Sequence, residues 1–213
     1  MKVEVWTDVI CPWCYIGRRR FEKALAQFDG REAVEVVFRS FELDPNAPVQ
    51  SEMTLGEMLA KKYGLSPTDA RAANERVTKI AAEEGLDFHL ELARPTNTLA
   101  AHRLLQLASV RKIRPAAEER FQKVYFTEGA SLADPNTLIR LATEAGLKDE
   151  DARRVLAGQA FTLQVRTDEA EAANLGVHGV PFFAFDRERM ISGAQPTPLF
   201  LQALNSAATA GSR

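Results

Sequence analysis

Val3-Glu4-Val5-Trp6-Thr7-Asp8-Val9-Ile10-Cys11-Pro12-Trp13-Cys14-Tyr15-Ile16-Gly17 changes its period part-way along. Residues 3–8 alternate Val3, Val5 and Thr7 against Glu4, Trp6 and Asp8, the two-residue repeat of a strand. Pro12 interrupts any strand, because it cannot donate to a ladder. From Tyr15 onward Ile16, Arg19-Arg20, Phe21, Ala24-Leu25 and Phe28 recur at three- and four-residue steps, so the chain turns helical until Asp29-Gly30. Residues 34–41 are β-branched and aromatic and read as a second strand. The opening is therefore β-α-β, and Cys11-Pro12-Trp13-Cys14 stands at its first strand-to-helix junction.

Working outward, Asp44-Pro45-Asn46-Ala47-Pro48 is a turn-rich close to this unit. Helical patterns follow. Thr54 and Glu57 have capping-box spacing for a helix reaching Tyr63, and Ser66-Pro67 opens another that runs to Glu84-Gly85. Asn97 or Thr98 caps a third, and residues 116–128, 135–145 and 149–158 read as three more. A last helix before the C-terminal strands starts near 161 and ends near Gly176. Pro181 then leads a strand into a hairpin over 182–192 with Arg187-Glu188 at its turn, and Pro198–Ala208 is a closing amphipathic helix with a small, polar tail. The order is βαβ, about six helices, then αββα. The simplest reading is an α/β domain in two parts, 1–44 and 161–213, with a helical domain of 45–160 inserted between them.

Bulk properties narrow the function class. The 213 residues suffice for a full core, and 46% hydrophobic content is ordinary for a globular chain. A formal net charge of −2 gives no global field for nucleic acid or an anionic membrane. The charged start, Lys2 and Glu4, does not resemble a secretory leader, and no apolar run approaches the ~20 residues of a membrane span. The expectation is a cytoplasmic protein.

Cys11 and Cys14 are the only cysteines. Two residues apart at a helix start, they share a face, and their sulfurs can join without backbone movement. Free N–H groups and the helix dipole favour an anion at Cys11. Pro12 suits the first helical position, where its missing N–H is not needed, and Trp13 adds apolar cover. The pair reads as redox-active: Cys11, nearer the helix end and more exposed, attacks a substrate disulfide, and Cys14 resolves the mixed disulfide. Half a zinc site and an inert core pair are the alternatives. Zinc would need His89, His102 or His178, which are irregularly and distantly spaced.

Val180-Pro181 supplies a second half. A cis bond there, opposite the helix start, would leave the Val180 backbone N–H and C=O to receive an extended substrate segment. A trans proline at a strand edge is the structural alternative. Pro12, Trp13, Val180 and Pro181 are accordingly the candidate substrate-binding residues.

Asp8–Gly17, Ser40-Phe41-Glu42-Leu43-Asp44-Pro45, Thr96–Leu104, Gly179-Val180-Pro181-Phe182-Phe183 and Ser192–Pro196 together resemble the DsbA-like branch of the thioredoxin superfamily, most closely its FrnE-type cytoplasmic members. The resemblance implies a thioredoxin fold with an inserted all-helical domain, a redox-active Cys11/Cys14 pair and a cis Pro181. It implies protein or small-molecule disulfides and dithiols as substrates, with glutathione the candidate co-substrate and no resident cofactor or metal. It also implies kinship with kappa-class glutathione transferases and 2-hydroxychromene-2-carboxylate isomerases, which makes a glutathione-dependent isomerase or transferase the alternative function. The oligomeric state stays open, a homodimer included.

Two departures stand out. Thioredoxin carries a buried aspartate six residues before its first cysteine, where this chain has Val5, and the extra C-terminal cysteine pair of some FrnE-type proteins is absent. Asp8 and Glu42 are the nearest acids and read more readily as solvated strand-end residues. His178 is placed to face the sulfurs or to sit on a surface loop, His102 reads as a packing or helix-surface residue, and Asn97 as a cap. Arg18-Arg19-Arg20 reads as a solvated helix face that could favour acidic partners such as the glutathione carboxylates.

Overall fold

The computed structural model describes residues 1–210. The tail from Gly211 lies outside the described residues. By internal contacts the chain forms two units: Met1–Leu43 together with the chain from Arg166 onward, and Asp44–Val165. The second crossing lies after Val165 rather than at 160/161, inside a helix whose regular pattern hides a boundary.

The first unit is built on a four-stranded sheet. β1 (Lys2–Thr7) lies between β2 (Glu35–Ser40) and β3 (Phe182–Phe185), and β4 (Arg189–Ser192) forms the far edge. β1 and β2 run parallel, joined by α1 (Pro12–Gln27) and a short 3-10 turn at Arg31–Ala33. The other pairings are antiparallel. α8 (Thr162–Asn174) precedes β3, and α9 (Thr197–Ala210) closes the unit. The hairpin reverses one residue earlier than expected, at Asp186 and Arg187, both with positive φ (49° and 58°). Both are held there from outside the turn: the Asp186 carboxylate accepts from Lys2 N–H at 2.6 Å, and Arg187 reaches Glu4.

Strand alternation gives the sheet two apolar faces. Val3, Val5, Phe183, Phe185 and Ile191 pack with Phe21 and Ala24 of α1 and Phe200, Ala203 and Leu204 of α9. Burying one such large side chain contributes roughly 1.5–3 kcal/mol. Trp6, Phe182 and Ala184 form the other face with Ala172 of α8 and Val177. The Trp6 indole N–H also donates to the Asp168 carbonyl of α8 at 2.9 Å, which pins that helix to β1.

The second unit is helical: α2 (Leu55–Tyr63), α3 (Pro67–Glu83), α4 (Leu99–Val110), α5 (Arg114–Lys123), α6 (Pro135–Glu144) and α7 (Asp149–Ala157). Thr54 and Glu57 form the expected capping box. The stretch read as one helix over 116–128 instead passes from α5 into a π-helical turn, Val124–Glu128, that ends where Gly129 adopts φ 65°. Leu104, Leu105, Phe121, Tyr125, Phe126 and Leu138 are fully buried within the helical unit. The buried Arg103 guanidinium ties down the chain after α7 through the carbonyls of Val155, Gly158 and Ala160. Among the described residues no helix is long and apolar enough to cross a membrane.

Candidate active site

Register brings the two halves of the site together. Trp6 pairs with Phe182 across the antiparallel β1–β3 ladder, so the chain leaving β1 and the chain entering β3 lie at one end of the sheet. Leaving β1, Cys11 N–H donates to Asp8 C=O at 3.2 Å and Cys11 becomes the extended N-cap of α1. Pro12 follows at the first helical position, and Cys14 N–H closes the first turn on Cys11 C=O at 3.0 Å. Entering β3, the Val180–Pro181 peptide is cis. The Cys11 thiol donates to the Val180 carbonyl oxygen at 3.4 Å, and Asp8 N–H reaches Cys14 Sγ at 3.5 Å.

Exposure does not rank the two sulfurs as expected. Cys11 is 3% exposed and Cys14 2%, with the Cys11 sulfur against the Val180 carbonyl rather than standing free. What separates them is surroundings. Burial, reinforced by the neighbouring Cys11, pushes the Cys14 thiol well above the usual cysteine value, against partial relief from Asp8 N–H and the Thr7 hydroxyl. Cys11 instead has the helix end and the Val180 carbonyl beside it. Trp13, 39% exposed, offers an apolar surface next to the pair. The geometry suits thiol–disulfide exchange: two free thiols one helical turn apart, beside a backbone edge.

Residues 2–205 match the family model for the DsbA-like thioredoxin domain. The chain belongs to that family. It is 45% identical to a protein of Streptomyces coelicolor described as a probable DsbA oxidoreductase, with a TM-score of 0.95 over 98% of this chain and 90% of that one. The cytosolic disulfide reductase DsbM of Pseudomonas aeruginosa, solved with glutathione, shares the fold at 19% identity and a TM-score of 0.63, over 97% of this chain and 95% of that one. A 2-hydroxychromene-2-carboxylate isomerase does so at 16% identity and a TM-score of 0.73, over 100% of this chain and 98% of that one.

Against that DsbA-like frame, several side chains sit differently from their sequence reading. Asp8 and Glu42 are buried, not solvated. The Asp8 carboxylate accepts from Leu43 N–H at 2.8 Å, and Glu42 pairs with Arg166, which also holds Glu169 at 2.7 Å. The Arg18-Arg19-Arg20 run is not a solvated face. Arg18 is 8% exposed, lies over the Phe38 ring at 5.4 Å and binds Glu22 at 2.7 Å; Arg19 lies over Tyr15 at 5.1 Å; Arg20 donates to the Ala194 carbonyl at 2.7 Å. Their stems cover apolar surface, which a charge count does not show. His178 is exposed, and the sulfurs make their hydrogen bonds to Val180 and Asp8. His102 is fully buried on α4, and the Asn97 carboxamide oxygen caps α4 through Leu99 N–H at 3.0 Å. Val5 lies in the α1/α9 core.

Glu4, on the other face of β1, is the acid the sequence reading passed over. It accepts from Arg39 at 3.0 and 2.5 Å and from Arg187 at 2.5 and 2.9 Å, with Lys2 at 3.3 Å. The Arg187 hydrogen bond, helped by Arg39 and Lys2 and opposed by burial, pulls Glu4 down to about 2. Gly17 was also passed over. A glycine inside a helix costs about 1 kcal/mol relative to alanine, and that cost was the available signal that something packs closely there.

Proposed function

We propose that the protein is a dithiol–disulfide oxidoreductase in which Cys11 attacks and Cys14 resolves. The observation that carries this reading is the placement of the Cys11 sulfur at the N-terminus of α1, 3.4 Å from the Val180 carbonyl oxygen. The Cys11 thiolate attacks one sulfur of a substrate disulfide. A Cys11–substrate disulfide forms, and the other substrate sulfur leaves as a thiolate that takes up a proton. Cys14 then loses its proton and attacks Cys11 Sγ, releasing the second substrate thiol. Two electrons have passed to the substrate, and Cys11–Cys14 is now a disulfide. An external thiol such as glutathione returns it to the dithiol by two exchanges, becoming glutathione disulfide. The reverse sequence oxidises a substrate dithiol.

Burial of Cys14 fits the second role. A resolving thiol held protonated does not compete for substrate and is needed only once Cys11 is in the mixed disulfide. Trp13 supplies apolar contact, and the Val180 edge receives an extended segment by backbone hydrogen bonding. A reducing compartment, the cytoplasm, suits a lone dithiol pair of this kind. The cytosolic neighbour solved with glutathione supports both the compartment and the thiol partner.

The test is dithiothreitol-driven reduction of insulin by wild type, Cys11→Ser and Cys14→Ser. Wild type is expected to outpace both variants by at least tenfold. A wild type no faster than Cys11→Ser would overturn the reading. Glutathione-dependent turnover that survives Cys14→Ser would replace it with the isomerase or transferase reading, which has no use for a resolving cysteine.

A further inference from the structure

Gly17 lies on α1, one turn beyond Cys14, where a Cβ would come within 2.9 Å of Pro181 Cγ and 3.3 Å of the Ala194 Cα and Cβ. The loop it faces is clamped from two sides. Gly193 N–H donates to the Pro181 carbonyl at 2.8 Å, and the Arg20 guanidinium, one turn further along α1, donates to the Ala194 carbonyl at 2.7 Å. Pro181 follows the residue whose carbonyl meets the Cys11 sulfur. A pyrrolidine ring is bonded to its backbone at both ends, so it can yield to a new methyl group by little more than a change of pucker. Ala194 Cα is backbone. Added volume at position 17 therefore drives the 180–181 and 193–195 segments away from α1.

From this packing we propose that Gly17 and Arg20 are positioning residues that set the gap between the Cys11 sulfur and the Val180 backbone edge, and so select for substrates that bind as an extended chain. The inference rests on the proposed oxidoreductase reading. A protein disulfide needs the sulfur and the edge together, because its backbone must bond Val180 while its disulfide meets Cys11. A small disulfide needs only the sulfur. Displacing the edge therefore penalises the first class more than the second. Misplacement by about 1 Å can cost roughly a hundredfold in rate, and relieving a 2.9 Å contact calls for a fraction of that displacement.

The experiment compares wild type, Gly17→Ala and Arg20→Met on insulin and on bis(2-hydroxyethyl) disulfide, with a thermal melt of each. For Gly17→Ala the ratio of kcat/KM for insulin to that for the small disulfide is expected to fall about tenfold, with the loss in the KM for insulin. Arg20→Met, which keeps the stem and loses the clamp, shifts the same ratio in the same direction by a smaller factor, and it decides the matter if Gly17→Ala does not fold. Loss of both activities in parallel, or an unchanged ratio in the folded variants, overturns the proposal while leaving the oxidoreductase reading intact. A wild type inactive on both substrates overturns that reading and this inference with it.

Discussion

The Cys11 thiol and the Val180 carbonyl oxygen, 169 residues apart in the chain, meet at 3.4 Å. Under the proposed function this contact joins the attacking sulfur to the backbone edge that would receive a substrate, so the two cysteines are expected to fail in different ways when changed. Cys14→Ser keeps the attacking sulfur and should accumulate a mixed disulfide with a protein substrate. Cys11→Ser should accumulate none. Non-reducing gels with thiol release by dithiothreitol read this directly, and a trapped adduct on Cys11→Ser instead would reverse the assigned roles.

Cys14 is held protonated chiefly by burial. In Cys11→Ser, iodoacetamide should leave Cys14 unmodified in the native protein at pH 8 and label it readily in urea, with the native rate still rising above pH 9. Thr7→Val in that background removes a hydroxyl that favours the thiolate and should move the alkylation profile further up. A raised folded-state value stabilises the fold below the unfolded cysteine range and loses that contribution as pH climbs. Native stability conferred by Cys14 should therefore fade in alkali. Fast labelling at pH 7 would contradict this account.

Glu4 behaves in the opposite sense. Its folded value of about 2 lies below the ordinary 4.5, so the Arg187 and Arg39 contacts stabilise the fold above pH 4.5 and lose that effect as pH falls toward 2. The shift corresponds to about 3 kcal/mol at most, reduced by solvent screening on the half-exposed Arg187 side. Urea unfolding of wild type and Glu4→Gln should show a gap at pH 7 that narrows steadily between pH 5 and pH 2. A gap independent of pH would show that the carboxylate charge is not what matters.

Trp6→Phe tests the pin between β1 and α8. It keeps an aromatic ring near Phe182, whose centroid lies 6.1 Å from that of Trp6, but removes the indole N–H that donates to the Asp168 carbonyl. Destabilisation of about 1–3 kcal/mol is expected by urea titration. A neutral result would mean the hydrogen bond contributes nothing net.

The β-α-β opening, the run of helices, the final hairpin and the position of the Cys11/Cys14 pair were all legible from the chain alone. They depend on near-neighbour physics: the two- and four-residue periods, Pro12 at a helix start, Thr54 and Glu57 three apart. Cys11, Pro12, Trp13, Val180 and Pro181 stand out as candidates by residue type and spacing alone. Tertiary structure decided the rest. Only the Trp6–Phe182 register brings Val180 to Cys11. Only tertiary packing sets Cys11 against Val180, lays Arg18 over Phe38, ties Arg20 to Ala194 and gives Gly17 a reason to lack a side chain. Asp8, Glu4 and Glu42 are buried because their partners, Leu43, Arg187 and Arg166, arrive from other segments. Local pattern records which elements form. Burial and charge pairing belong to segments that meet only after the sheet has chosen its register.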